Sequence, residues 1–387
     1  MARRLPRGRS KRRLLKPPPR TLVFILLGGF VLLTAIVLLV RRHFAPPSLG
    51  ETDRRQIALR IRSSIEQVAG RQAWVKEPPY ALFPPRRADA AAEVVVSSAA
   101  FPEVLSTVER QAQKDGLEAR ATVRRAQGRW RLADIRLARG RQSAGRWLVR
   151  EVAQLRHAAI IIDDLGQDLA AADKLLALPY PVTFSVLPHL AHSAITAEQA
   201  HQGGREVMLH LPMEPDSSAR PGAGEIRVGM REPEVGRIID QDLGSVPHAV
   251  GVNNHMGSRA TTDAALMGEV IRALADRRLF FVDSRTTAKS VALDVARREG
   301  LPAFFRSVFL DDVETVPYTL GQLREFRAVV EEQGVALAIG HPYPSTIQAL
   351  GQFLPEFERR DIQLVPASQL LSLPEVSHLH PPPASRP

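Results

Sequence analysis

The chain of 387 residues contains no cysteine. That absence excludes a disulfide scaffold, a cysteine nucleophile and any cysteine-ligated zinc or iron–sulfur centre. It leaves the redox compartment open. No acidic residue occurs between positions 1 and 42, where eleven Arg and Lys side chains sit. No P-loop or G-x-G-x-x-G follows an apolar run, and Ser258 lacks a G-x-S-x-G frame. Nucleotide-binding and nucleophile-elbow readings are therefore weak.

What is present allows about two folded domains plus accessories. With 44% hydrophobic residues the chain can bury a sizeable core, which excludes wholesale disorder. The formal net charge is +11, and its location matters more than its size. Residues 1–42 alone carry that charge. Residues 51–157 hold 21 basic and 12 acidic side chains, a net +9, whereas residues 158–387 hold 20 and 29, a net −9.

Thr21 to Val40 is a run of 20 residues without a charge. At 1.5 Å per residue it spans about 30 Å, the thickness of a bilayer core. Nine basic residues precede it, and Arg41 and Arg42 follow. The heavier positive flank normally stays cytoplasmic. The expectation is an uncleaved single-pass anchor in the inner (cytoplasmic) membrane, with the lipid bilayer as partner and the rest of the chain on the periplasmic side. The basic terminus would otherwise point to nucleic acid; the span explains it better, and no nucleic-acid partner is expected.

The expected organisation is a basic cytoplasmic tail (1–20), the transmembrane anchor (21–40), a small α+β module (51–157), an α/β barrel domain (158–372) and a disordered tail (373–387). A stalk at Ala45–Ser48 links anchor and module. Within the module, helices are expected over Asp53–Ala69 and Pro102–Lys114, with a Pro-rich loop around Pro78–Pro85 between them. Alternating runs follow at Ala119–Ala126, Arg129–Ala138 and Arg146–Leu155, a meander of hairpins. Its arginines read as a solvated face, or as a face for anionic headgroups or for the acidic domain. From Ala158 the rhythm becomes strand, loop, helix. Strands are expected at Ala158–Ile162, Val182–Val186, Glu206–Leu209, Ala249–Val252, Leu279–Val282, Ala303–Arg306, Val335–Ile339 and Ile362–Val365. Their continuous apolar runs suit buried parallel strands, hence a distorted, imperfectly closed (β/α) barrel of seven or eight strands.

Reactive groups in such a barrel sit at the C-terminal ends of strands. There the sequence offers Asp163-Asp164, His210 with Glu214 four residues on, Asn253-Asn254-His255, Asp283-Ser284-Arg285 and Gly340-His341-Pro342. Adjacent carboxylates repel; a cation relieves this, or one carboxylate binds metal while the other acts as base. Helix capping and solvation are the competing reading of the pair. The His210–Glu214 spacing suits one face if a helical turn begins there. Carboxylate plus imidazoles with an open position suits Zn²⁺ or a similar divalent ion.

At these residues the sequence resembles the divergent polysaccharide deacetylase family, a branch of the NodB-like carbohydrate esterases. The resemblance covers about residues 155–370. It is carried by Ile160–Gly166 (IIIDDLG), Thr183–Pro188 (TFSVLP), the Met208–Pro215 run, the Asn253–Ser258 turn and Ile339–Pro342 (IGHP). It implies a NodB-like barrel with one divalent metal, most simply Zn²⁺, and removal of N- or O-acetyl groups from an acetylated glycan. It assigns Asp163 as base, Asp164 and His210 as metal ligands and His341 as general acid. The motif's second histidine falls where this chain has Glu214, and His255 would supply the missing ligand. Glu214, Asn254, Asp283 and Arg285 are expected as further ligands or as groups that orient them. Glu214 in place of histidine also leaves a second reading, a non-catalytic envelope protein that uses the same barrel to bind a glycan or a protein partner.

Overall fold

In the computed structural model the described residues are 27, 30–36, 49–76, 91–126, 130–373, 376 and 379. Residues 27 and 30–36 are helical, and most of the expected anchor 21–40 lies outside the described residues, as do the 1–20 tail, the 45–48 stalk and the Pro-rich 78–85 loop. Among the described residues no helix is long and apolar enough to cross a membrane.

The arginine-rich part forms a five-stranded sheet: β1 (Ala73–Val75), β2 (Ala91–Ser97), β3 (Glu118–Ala126), β4 (Trp130–Arg139) and β5 (Gln142–Val152), in the order β1-β2-β5-β4-β3. The hairpin meander is present as β3-β4-β5, all antiparallel. β2 adds to β5 in parallel, which the sequence had not indicated. Helix Glu51–Ala69 places Ile57, Ile61 and Ile65 on one buried stripe, the four-residue spacing of an amphipathic helix. Helix Phe101–Lys114 contributes Phe101, Val104 and Val108. Both pack with Val94, Val96, Ile135, Leu137, Trp147 and Val149 into one core.

The second core belongs to nine parallel strands: β6 (Arg156–Leu165), β7 (Thr183–Val186), β8 (Val207–Met213), β9 (Ala249–Met256), β10 (Phe280–Asp283), β11 (Ala303–Phe305), β12 (Val308–Phe309), β13 (Val335–Gly340) and β14 (Ile362–Leu364). The order is β11-β10-β9-β8-β7-β6-β13-β12, with β14 paired to the start of β6. Every residue of β8 and β13 is buried, because helices cover the outer face while the strands curve round an apolar interior. β11 and β12 are the two free edges. The chain steps between them at residues 306–307: Arg306 N donates to Asp283 O on one side and Ser307 N to Leu337 O on the other. The result is an open α/β half-barrel whose gap is crossed by a two-residue link.

Three sequence expectations change. β8 continues as strand to Met213, so no helical turn begins at His210. β12 was not foreseen because it is only two residues long. The tail begins later than residue 373: Leu373 and Val376 are buried, and Arg297 donates to the carbonyls of Val376 and Leu379. The two cores meet at Asp361, which pairs with Lys76 at 2.9 Å and with Arg150.

Candidate metal centre

Asp163 and Asp164 close β6. In a regular strand they would point to opposite faces. Here the pairing register shifts between Ile162 and Leu165, and Asp164 has φ 56°, in the left-handed region. The irregularity re-aims a side chain at the rim, and both carboxylates reach the same site.

Asp164 Oδ1 lies 3.2 Å from His210 Nε2 and 3.0 Å from His255 Nδ1. The two ring nitrogens are 3.1 Å apart. A tetrahedral ion with bonds of about 2.0–2.1 Å sets neighbouring ligand atoms about 3.3–3.4 Å apart. The three atoms thus form a triangle of nearly the required size, and Asp164 Oδ1 is buried without a settled hydrogen-bond donor. These residues fit a divalent ion. In the protein alone, burial pushes the Asp164 carboxyl up, but the two imidazoles outweigh it and hold it well below the usual carboxylate range. Burial lowers the His210 imidazole, and the Asp163 and Asp164 carboxylates outweigh that and raise it.

Asn253, on β9, organises what lies behind. Its Nδ2 donates to Asp163 Oδ1 at 2.8 Å and Oδ2 at 3.1 Å. Its Oδ1 accepts from Ser185 Oγ at 2.6 Å and lies 3.1 Å from His210 Nδ1. With Nδ2 committed to a carboxylate, Oδ1 must accept, so His210 Nδ1 carries the proton and Nε2 offers its lone pair to the triangle. Asp163 itself stays out of the triangle, with Oδ2 3.6 Å from His210 Nε2.

His341, after β13, faces Asp164 from the other side, its Nε2 3.8 Å from Asp164 Oδ2. Its Nδ1 lies 3.0 Å from Asp311 Oδ1, while its backbone N and Thr346 Oγ1 both donate to Asp311 Oδ2 at 2.6 Å. Burial lowers the His341 pKa, but the Asp311 hydrogen bond and the Asp163, Asp311 and Asp164 charges prevail and raise it to about 9. Asp311 is a buried residue that the sequence reading missed. It follows β12, and the repeated Asp311-Asp312 after an apolar run was the available signal.

The remaining candidates serve the frame. Glu214 is not brought to the triangle: its Oε1 accepts from Arg259 Nη1 at 2.8 Å and its Oε2 from Val228 N at 2.8 Å. The extended course of β8 carries it past the site. Asn254 Oδ1 accepts from Ser284 N, and its Nδ2 donates to Met256 O, so Asn254 shapes the turn rather than binding metal. Asp283 accepts from Arg285 N and Ser290 Oγ, both at 2.8 Å; burial pushes its carboxyl up. Arg285 contributes that backbone N–H and accepts at its carbonyl from Arg306.

A model of the divergent polysaccharide deacetylase family matches residues 160–371, more than half of the chain. The chain belongs to this family. It is 38% identical over 224 residues to YibQ, an uncharacterized protein of Escherichia coli (strain K12), across 58% of this chain and 70% of that protein. It is 36% identical over 207 residues to an uncharacterized protein of Haemophilus influenzae (strain ATCC 51907 / DSM 11121 / KW20 / Rd), across 54% of this chain and 74% of that one. Among solved structures, the half-barrel resembles an uncharacterized protein, ATU2773, from Agrobacterium tumefaciens C58, with TM-score 0.54 and 24% identity over 56% of this chain and 90% of the other. That likeness concerns the fold alone. The family model leaves the arginine-rich module unmatched.

Proposed function

We propose that this chain is a metal-dependent deacetylase acting on an acetylated polysaccharide or glycan of the cell envelope. In this reading residues 21–40 tether it to the inner membrane, with the half-barrel on the periplasmic side. The uncharged run and its asymmetric basic flanks support the tether. The observation that carries the enzymatic reading is the division of labour at the rim. Three ligand atoms converge within 3.2 Å of one another, while Asp163 is held beside them by Asn253 and is free of ligand duty.

Asp164, His210 and His255 would hold the ion, and one carboxylate with two imidazoles favours Zn²⁺. Such an ion, when bound, polarises an acyl carbonyl and makes a water molecule more acidic. Asp163 accepts the proton of the attacking water; Asn253 Nδ2 keeps its carboxylate aimed. In the metal-free protein the Asp311 hydrogen bond and the neighbouring carboxylates raise the His341 pKa to about 9, which favours its proton-carrying form. His341 donates the proton at Nε2 to the departing amine or hydroxyl oxygen, while Asp311 holds Nδ1. Acetate release from acetylated chitooligosaccharides or peptidoglycan fragments, with and without added zinc, tests this.

A second reading, glycan or partner binding without catalysis, draws on Glu214. It occupies the motif's second histidine position and is tied up by Arg259. Binding of the same oligosaccharides with no acetate released at any zinc concentration would favour it.

A further inference from the structure

The five-stranded sheet has one face against its two helices and one face turned away. On the outward face the strand register sets Arg120 opposite Arg136 and Arg136 opposite Arg146, three guanidinium side chains in a row across β3, β4 and β5. Four residues further along, Arg124 stands opposite Leu132, and Leu132 opposite Arg150. Like charges directly opposite one another destabilise a sheet, so this row is kept against its own repulsion. Two local acids relieve part of it. Asp134 binds Arg146 at 2.9 and 2.7 Å and lies 3.7 Å from Arg136, and Glu118 lies 3.3 Å from Arg120. Arg124 has no acidic partner among the described residues. The side chains of Arg120 and Arg136 are 84% and 72% exposed.

The acidic half-barrel could have covered this face. It does so at one corner: Asp361 takes Arg150 and Lys76. Arg120, Arg124, Arg136 and Arg146 project beyond that contact. A flat, rigid, cationic strip matches a flat anionic surface better than a globular partner. Charge also segregates between the two parts, net +9 in residues 51–157 and net −9 in residues 158–387. An anionic surface would therefore draw the module towards it and push the half-barrel away.

We propose that the outward face of this sheet, centred on Arg120, Arg124, Arg136 and Arg146, docks on the phosphate headgroups of an anionic bilayer. The proposal extends the tethered reading above and rests on it for the identity of the surface. Ten residues separate position 40 from the start of the module at 51, so in the tethered reading the membrane is the polyanion nearest to it. Docking there fixes which way the half-barrel faces, so its metal rim is presented to glycan at a set orientation.

The absence of cysteine makes the test direct. Thr122→Cys places a single thiol at the centre of the strip. The full chain carrying a fluorophore there is mixed with nanodiscs of phosphatidylcholine, with or without phosphatidylglycerol, bearing a headgroup acceptor. The expected result is strong energy transfer in anionic discs only. High salt should abolish it. It should also be lost in an Arg120→Gln, Arg124→Gln, Arg136→Gln variant and restored when the same positions are Lys. Equal transfer in both disc types overturns the proposal. So does transfer that survives the Gln variant, or transfer displaced by a soluble anionic polysaccharide at unchanged salt, which would assign the strip to glycan. If the tether reading fails, the chain does not co-elute with phosphatidylcholine discs. Co-elution with anionic discs alone then still supports the docking face, and co-elution with neither overturns it.

Discussion

The two sheets of this protein bury polar groups very differently. In the five-stranded module the buried polar residues among those described are Thr107 and Glu151, and Glu151 is neutralised by Arg131. In the half-barrel, Asp163, Ser185, His210, Asn253, Asn254, Asp283, Ser284 and Asp311 are all buried at or near the C-terminal ends of strands. Burying such groups is costly unless each is paired. Such a cluster at one rim is what the proposed chemistry requires, whereas the module pairs an apolar core with a charged outer face.

The sharpest break in that comparison is expected at Asp163. Asp163→Asn should lower acetate release by about 10²–10⁴-fold, the usual share of a general base, while bound metal stays unchanged. Glu151→Gln in the module should leave turnover per folded molecule untouched. Acetate assays beside metal analysis on both variants check this, and equal losses would erase the distinction.

A core substitution should behave in the opposite way. Ile135 is fully buried in the module. Ile135→Ala should cost about 2–5 kcal/mol of stability, read by denaturant unfolding, with kcat of the folded fraction preserved. A fall in kcat would show that the module reaches the rim after all.

Asp311→Asn probes the pH response. His341 titrates at about 9 against an ordinary 6.5, so its proton-donating form persists through neutral pH and is lost as pH rises through that value. Activity should decline on the alkaline side. Removing the Asp311 charge should move that limb to lower pH, and an unmoved profile would remove Asp311 from the account.

The smallest effect is expected at Glu214. Its partner Arg259 is 57% exposed, and such surface pairs contribute about 1 kcal/mol or less. Glu214→Gln should leave metal affinity unchanged; a clear loss would restore Glu214 as a ligand.

The sequence made these contrasts partly legible. Continuous apolar runs marked all of the half-barrel strands except β12, because two residues give no pattern to detect. That omission hid Asp311, whose position depends on the strand before it. Strand ends located Asp163, Asp164, His210, His255 and His341, since parallel strands place successive C-termini on one rim. The spacing of His210 and Glu214 misled because four residues suit a helix, and β8 runs straight through them. Asn253 stood within a noted turn, yet its double role follows from an amide lying between β6 and β8 partners, a relation that only the sheet order reveals. In the module, the three antiparallel strands showed alternation, but the parallel β2–β5 pairing joins segments far apart in sequence and left no local mark.

The central claim is that Asp164, His210 and His255 together chelate an ion. Metal analysis of the purified chain, alone and as Asp164→Ala, His210→Ala and His255→Ala variants, addresses it most directly. The account predicts one divalent ion per wild-type chain and loss of that ion in each variant. A wild-type chain free of metal after equilibration with zinc, or a His255→Ala protein that keeps its ion, would contradict it.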